Sequence, residues 1–552
     1  MTRRPWAPPA AGREPAGAAV LAWLQDPRAP RMCVVSGPPD CGKSMFLAWL
    51  VEHATEPDTE AVRRVHALVP LTGHSTRTAA WQLAEQLQVS ARTPGELLSV
   101  LARDPRRTVI VLPDLHESVE PAGIEELACS LAAFAHIRVI VETRNPSATL
   151  LAEEPAVMDL AAPQWTDSDR YAAWAAAGLS ARQETTSLPD YRQAPAEVDL
   201  DDPASVCGAD PVAITTAYEN ATEAHGGLRA AWLRSGASVT RPQEPSSRAV
   251  VLWSALGDDA DPRRENELCA LARDAEWRVR WKRVRGDISP PWPGPVRSLS
   301  AGRGEMAGTA VVLDHQGVVR LISDGDGRPA GRLQRPVPGA VAVAAASEGT
   351  VVVLDHHGRL TLHKRPAVSQ LSGIAGLLEA GPSPWESLAG QAARHVRGTA
   401  LACASTSLAA GSTEGEVHVL PGNGAGTEGV SRTLHEGAVT ALTVAETAGG
   451  GLLVYSGGQD GRVRLWDPDR EPLGIPVAER DCEVTALAAS PLDGGVALAT
   501  GWADGLVEYS VTGDEHRVRH FRPGPPVRAL SVLPCGDVLI GTEESLIRLA
   551  PC

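Results

Sequence analysis

The order of apolar and polar positions changes character near residue 278. Before it, short runs that are apolar at almost every position, Met32–Ser36, Thr108–Leu112 and Ile137–Val141, alternate with stretches that are apolar on a helical period. These stretches are Ala18–Gln25, Ser44–His53, Thr76–Leu87, Glu96–Arg103 and Glu120–His136. A strand that is apolar on both of its faces has to be covered on both, so the alternation predicts a parallel sheet between helical layers. The β-branched run Val62–Leu71 and the VMDLA segment at 157–161 predict two further strands. Helical periodicity then dominates at 167–177, 211–224, 227–234, 248–257 and 261–276. The Pro-, Asp- and Ser-rich stretch up to 205 is expected to be loop, and the breaks at Gly236 and Thr240–Ser247 are the expected hinges.

After residue 278 the pattern is one of short alternating strands and glycine turns, recurring about every forty residues, as in repeat architectures. The clearest unit is GAVTALTV at 437–444 followed by VYSGGQDGRVRLWD at 454–467. The turn and strand that follow it recur as LDHQGVVRL (313–321), LDHHGRLTL (354–362), GSTEGEVHV (411–419), GWADGLVEY (501–509) and GTEESLIRL (541–549). Six units predict an all-β propeller. The last unit stops after its third strand, and Trp277–Val284 alternates like the strand that would complete it and close the ring. The long join from Arg365 to Arg394 has room for a degenerate seventh blade or a helical insertion, so six or seven blades are expected.

The candidate chemistry sits between the first strand and the helix after it. Gly37-Pro38-Pro39-Asp40-Cys41-Gly42-Lys43-Ser44 fits G-x-x-x-x-G-K-[ST]. In that pattern the backbone N–H groups of the loop and the helix N-terminus face phosphate oxygens, and glycines permit the close approach. Lys43, one of three lysines in the chain, would reach the β- and γ-phosphates, and the Ser44 hydroxyl would take a position on Mg²⁺. Gly37 to Met45 are therefore the candidate nucleotide contacts. The 108–112 strand runs into Pro113-Asp114-Leu115-His116-Glu117, where Asp114 is the candidate Mg²⁺ residue and Glu117 the candidate to polarise an attacking water. The 137–141 strand leaves through Glu142-Thr143-Arg144, and Arg144 is positioned by sequence to aim a guanidinium at a γ-phosphate.

These features together resemble the signal-transducing STAND NTPases, the class that includes NACHT and apoptotic-ATPase proteins and whose bacterial members often carry WD-type repeats at the C-terminus. Residues 1–16, Pro- and Ala-rich, are expected to be a flexible N-terminus. After it the resemblance implies a P-loop NTPase domain (17–162), helical and winged-helix-like subdomains (163–276) and a WD40-like propeller (277–552). It implies ATP or ADP with Mg²⁺ as ligand. The acidic motif is offset from the family's pattern, whose two aspartates fall on Pro113 and His116 and whose glutamate falls on Glu117. Gly208-Ala209-Asp210-Pro211 is similar to the family's G-x-P element, which implies that Pro211 lies against adenine. The repeats resemble WD40 units in which one copy keeps the Trp-Asp pair, at Trp466-Asp467, and the usual Gly-His is lost.

Composition narrows the field. A net charge of −16 gives no broad basic face for nucleic acid, and there is no apolar run of the eighteen or more residues a membrane helix needs. Proline and glycine interrupt any secretory signal, so a cytoplasmic protein is expected. Nine scattered cysteines without a C-x-x-C pair suggest reduced, buried thiols. His315, His356 and His357 are expected to stabilise blade turns, and no Ser-His-Asp set is evident. Two functions remain in view. One is a nucleotide-operated switch with weak Mg²⁺-dependent ATPase activity and a protein partner on the propeller, with nucleotide-dependent self-association left open. The other is a non-hydrolysing interaction scaffold.

Overall fold

The computed structural model describes the chain apart from residues 1–6, 8, 57, 174–197, 286–291, 293, 334, 348, 365–383, 396–397, 422–428, 448–449 and 514–516. Two compact units divide it: 1–199 with 209–221, and 200–208 with 222–552.

The first unit is a five-stranded parallel sheet in the order β2-β3-β4-β1-β5, with β1 at Met32–Ser36, β2 at Ala67–Leu68, β3 at Thr108–Leu112, β4 at Ile137–Glu142 and β5 at Ala156–Asp159. Its helices are α1 (Glu14–Gln25), α2 (Lys43–Ala54), α3 (Thr76–Gln86), α4 (Pro94–Leu101), α5 (Pro121–Ala132) and the short α6 (Ala148–Ala152). The period of two splits each continuous apolar strand between two cores. Cys33, Val35, Val109, Val111 and Ile140 pack against α1 and α2. Met32, Val34, Ile110, Leu112, Val139 and Val141 pack against α3, α4 and α5. Residues buried on both sides are what make the runs read as uninterrupted.

Local differences have local causes. The 62–71 run yields only the two-residue β2, because Ala61–Arg63 forms a turn of 3₁₀ helix ahead of it. Helix α1 starts at Glu14, before the apolar period begins, and Arg13 ahead of it is buried, with Nη1 donating to the Leu160 carbonyl at 2.6 Å. The part of the expected flexible terminus at 1–6 and 8 lies outside the described residues, as does much of the expected loop before 205. The helix expected at 167–177 is described, and helical, at 168–173.

Helix α7 (Pro203–Gly208) belongs to the second unit, and α8 (Pro211–Asn220) to the first. The second unit continues with α9 (Leu228–Ser235), α10 (Ala237–Thr240), α11 (Pro245–Ala255) and α12 (Pro262–Leu271), and then with six antiparallel sheets. The inner strands of these sheets are β7 (Val296–Ala301), β11 (Ala340–Ala345), β14 (Gly398–Cys403), β18 (Val439–Glu446), β22 (Val484–Leu492) and β26 (Val527–Val532). Each neighbours the next, and β26 neighbours β7, so the ring is closed at six blades. Residues 384–395 of the long join form helix α13 (Pro384–His395), whose Trp385 and Leu388 pack between the second and third blades, and 365–383 lie outside the described residues.

Closure is made by β6 (Trp277–Val284). It pairs antiparallel with β28 (Ser545–Pro551) as the outer strand of the last blade, so the chain's two ends of the propeller share one sheet. Its inward residues Trp277, Val279 and Trp281 are buried and alternate with Arg278 and Arg280, which is the pattern that betrayed it in the sequence. The helices pack on this blade: Lys282 Nζ lies 3.3 Å from Glu265 of α12, and Arg234 of α9 lies 3.2 Å from Glu544.

All nine cysteines are free thiols. Four are buried, and burial pushes Cys33, Cys207 and Cys403 up to about 12. Cys269, Cys535 and Cys552 are exposed, against the expectation of buried thiols throughout.

Candidate functional site

In a parallel sheet the carboxyl ends of the strands open towards one rim, and that rim is where ligands are taken. Residues 37–44 leave β1 there. Gly37 is buried, and its φ of +141° and a Cβ that would meet Cys41 Sγ at 2.8 Å both restrict the position to glycine. Gly42, at φ +88°, caps α2 in the left-handed region, so the helix begins at Lys43 and leaves its first N–H groups facing the loop. Pro38, Pro39 and Asp40 are exposed at the apex, Ser44 and Met45 are exposed in the first turn of α2, and Cys41 is half-buried with its carbonyl held by the Arg13 guanidinium.

Lys43 is 6% exposed. Its ammonium donates to the carbonyls of Gly37 and Pro38, both at 3.0 Å, and lies 3.6 Å from Glu142 Oε1. Glu142 ends β4, the strand between β1 and β3, and is 1% exposed. Its Oε2 accepts from the Asp114 N–H at 2.7 Å. Burial raises the Glu142 pKa and the Asp114 carboxylate adds to that, while Lys43 opposes it. Glu142 thus joins the glycine-rich loop to the acidic loop. Sequence reasoning passed over it for Arg144, although a carboxylate ending a wholly apolar strand beside the loop strand was the signal available.

Asp114 adopts φ +58° and stands ahead of the 3₁₀ turn Leu115–Glu117, the kind of left-handed position that Asp tolerates best after glycine and Asn. Glu117 and Arg144, read from sequence as separate candidates, are brought together: Arg144 Nη2 donates to Glu117 Oε1 at 3.0 Å. Thr72 Oγ1 donates to the other oxygen at 3.4 Å. Burial lowers the His116 pKa, with Arg144 and Lys43 acting the same way and Glu117 and Asp114 against it. Pro211 opens α8, which is anchored on α3 by the Arg77–Glu219 pair at 2.7 Å. That contact places it beside α3 and does not itself join it to residues 37–44.

The second candidate region is one mouth of the propeller's channel. Every inner strand carries a bulge one residue after its start, at 297, 341, 399, 440, 485 and 528. Five of these bulged residues, Arg297, Thr399, Thr440, Thr485 and Arg528, line a cavity of about 600 Å³ together with Glu483 and others. Three reach the opening residue of the next blade: Arg297 donates to the Ala340 carbonyl (2.9 Å), Thr399 to Val439 (2.6 Å) and Thr440 to Val484. Thr485 breaks the series, since its buried hydroxyl has no hydrogen-bond partner among the described residues. Burial raises the Glu483 pKa, opposed by Arg528, which is itself 2.6 Å from Glu543.

A stretch of 73 residues is 42% identical to Regulatory-associated protein of TOR 1 from Arabidopsis thaliana, covering 13% of this chain. The chain spans about 5% of that protein's length. Solved structures described as U3-55K and as the RRP9 WD40 repeats each match over 50% of the chain, at 16% and 15% identity and TM-scores of 0.31 and 0.30. They are covered over 99% and 98% of their own lengths. Scores that low carry no weight, and the propeller rests on its own strand pairing. No family model matches.

The WD-type unit holds a feature the sequence reading missed. The Gly-His pair was counted as lost, yet His435 survives behind Leu434. Its Nδ1 lies 3.0 Å from Asp460 and its Nε2 lies 2.8 Å from Ser456. This is a Ser-His-Asp row, but Ser456 is wholly buried, so the row fastens the 460–461 turn and cannot meet a substrate. In the next blade Arg480 takes the histidine's place, 2.7 Å from Asp504. His356 does related work at its own turn, with Nδ1 3.2 Å from the Gly339 carbonyl. Among the described residues, no helix is long and apolar enough to cross a membrane.

Proposed function

We propose that this chain is a protein-interaction platform whose propeller takes an extended segment of a protein partner at the channel mouth, and whose α/β unit binds ATP or ADP with Mg²⁺ through residues 37–45. The platform reading is carried by the bulged polar residues Arg297, Thr399, Thr440, Thr485 and Arg528, which line one cavity together with the Glu483 carboxylate. An extended peptide entering the mouth would present backbone N–H and C=O groups to the polar side chains that line it. Affinity capture from the native host with the full chain, set against a Glu483→Gln/Arg528→Glu variant, tests it. Loss of a specific partner from the variant is expected, and an identical partner set on both would refute it.

The nucleotide reading is supported by the left-handed cap at Gly42, by Gly37 at a φ of +141° that favours glycine, and by the lysine already lying along the loop. In it Ser44 and Asp114 hold Mg²⁺, Glu117 orients water and Arg144 contacts the γ-phosphate. One observation favours a switch over a static carrier. The Lys43 ammonium cannot serve both Glu142 and a phosphate fully, so nucleotide would draw it from Glu142, whose other oxygen fixes the Asp114 backbone. The test is calorimetry with ATP and ADP on the full chain, with hydrogen exchange read at 113–118; protection there that differs between the two nucleotides is expected. Flat calorimetry would leave the platform alone standing.

A further inference from the structure

Three side chains of mixed chemistry converge at the rim of the sheet. Asp114, His116 and Glu142 each offer one ligand atom, and all of these atoms lie within 4.8 Å of one another. Two come from the loop after β3 and the third from the last position of β4, its parallel neighbour. The 2.7 Å bond from the Asp114 N–H to Glu142 holds the two loops in register, and Glu142 is buried to 1% exposure. Nδ1 of His116 is buried and, among the described residues, has no hydrogen-bond partner. One imidazole and two carboxylates with an unsatisfied ring nitrogen are a donor set awaiting a cation.

We propose that Asp114, His116 and Glu142 form a binding site for a divalent first-row transition ion, of the Mn²⁺ or Zn²⁺ class, that needs no nucleotide. Two atoms at about 2.1 Å from one ion stand at most about 4.2 Å apart, so the set has to close by a few tenths of an ångström at its widest. Side-chain torsions of the half-buried loop residues Asp114 and His116 suffice for that. The imidazole sets the selectivity, because Mg²⁺ prefers oxygen and water whereas Mn²⁺ and Zn²⁺ accept nitrogen. The Lys43 ammonium, 3.6 Å from Glu142, competes with the ion for that carboxylate. This site goes beyond the nucleotide reading, in which Mg²⁺ reaches the protein through Ser44 and Asp114, since all three donors here are the chain's own.

The test uses the full chain, stripped with a chelator and free of nucleotide, titrated with MnCl₂ and followed by the electron paramagnetic resonance of free Mn²⁺. One bound ion per chain is expected, displaced by Zn²⁺ far more readily than by Mg²⁺, with nitrogen modulation from one imidazole in the pulsed spectrum. His116→Ala weakens it by at least about tenfold and abolishes the nitrogen signal. Glu142→Gln weakens it too, and Lys43→Ala leaves it intact or tighter. Dissociation constants above about 1 mM, bound Mn²⁺ without nitrogen coupling, or affinity unchanged in both His116→Ala and Glu142→Gln would overturn the proposal. Because no nucleotide is present and Lys43→Ala retains the ion, failure of nucleotide binding and failure of this site are read separately.

Discussion

Lys43 Nζ and Glu142 Oε1 stand 3.6 Å apart with both side chains almost completely buried. A buried pair holds each charge only while its partner is present. In Mg²⁺ buffer, Lys43→Ala removes charged hydrogen bonds worth about 1.5–3 kcal/mol to a phosphate, so binding of a fluorescent ATP analogue should fall by about ten- to a hundredfold or more. Glu142→Gln frees the ammonium and should leave nucleotide affinity equal or higher. Parallel losses in the two variants would show that Glu142 does not compete with the phosphate for Lys43.

The Arg144–Glu117 pair is of another kind, with Arg144 47% exposed and Glu117 27%. Exposed pairs contribute about 1 kcal/mol or less, so Arg144→Ala should move the melting temperature by no more than a few degrees. Its effect should instead fall on the preference for ATP over ADP, reduced by about tenfold if the guanidinium meets the γ-phosphate. Equal loss of both nucleotides, or of neither, in calorimetry would remove Arg144 from that role.

These two pairs show what the chain disclosed on reading and what it withheld. Strands β1, β3 and β4 were legible because burial on both faces writes an unbroken apolar run. The closing strand β6 was legible because Trp277, Val279 and Trp281 alternate with arginines. The order of the sheet decided the rest: β4 enters between β1 and β3, and only that placement brings Glu142 to Lys43 and to the Asp114 backbone. Periodicity carries no information on which strands become neighbours. His435 escaped notice for a related reason, since its partners Ser456 and Asp460 come from the next hairpin and its own motif lacks the expected glycine.

His74 sets a pH dependence in the α/β unit. It is 6% exposed, its Nδ1 lies 3.1 Å from Thr78 Oγ1, and burial pulls its pKa from 6.5 to about 4, against a smaller opposing pull from Asp210. An unfolded chain takes up this proton below about pH 6.5 whereas the folded one resists until about pH 4. The contribution is therefore complete above pH 6.5, declines as pH falls from there to about 4, and spans on the order of 3 kcal/mol. Hydrogen exchange at the α3 amides, corrected for intrinsic rate, should show protection falling over that window. His74→Asn should flatten the slope, and an unchanged slope would assign it to another group.

Closure of the propeller by β6 gives the last expectation. Trp277 is 3% exposed, donates from Nε1 to the His520 carbonyl at 2.9 Å and meets the Tyr509 ring edge-on with centroids 5.8 Å apart. Trp277→Ala therefore removes a large buried side chain and leaves the His520 carbonyl without its donor, at a cost of about 3–5 kcal/mol. Arg278, one residue on, points outward on the same strand and its replacement by Ala should stay within about 0.5 kcal/mol. The chain has two compact units, so a single global transition is not a safe readout, and exchange at β28 amides is the better one. If β6 holds the ring shut, Trp277→Ala lowers protection along Ser545–Pro551 selectively, because β28 loses its outer partner first. Equal loosening of all six blades would show instead that the tryptophan supports the propeller's stability generally and that the seam lies elsewhere.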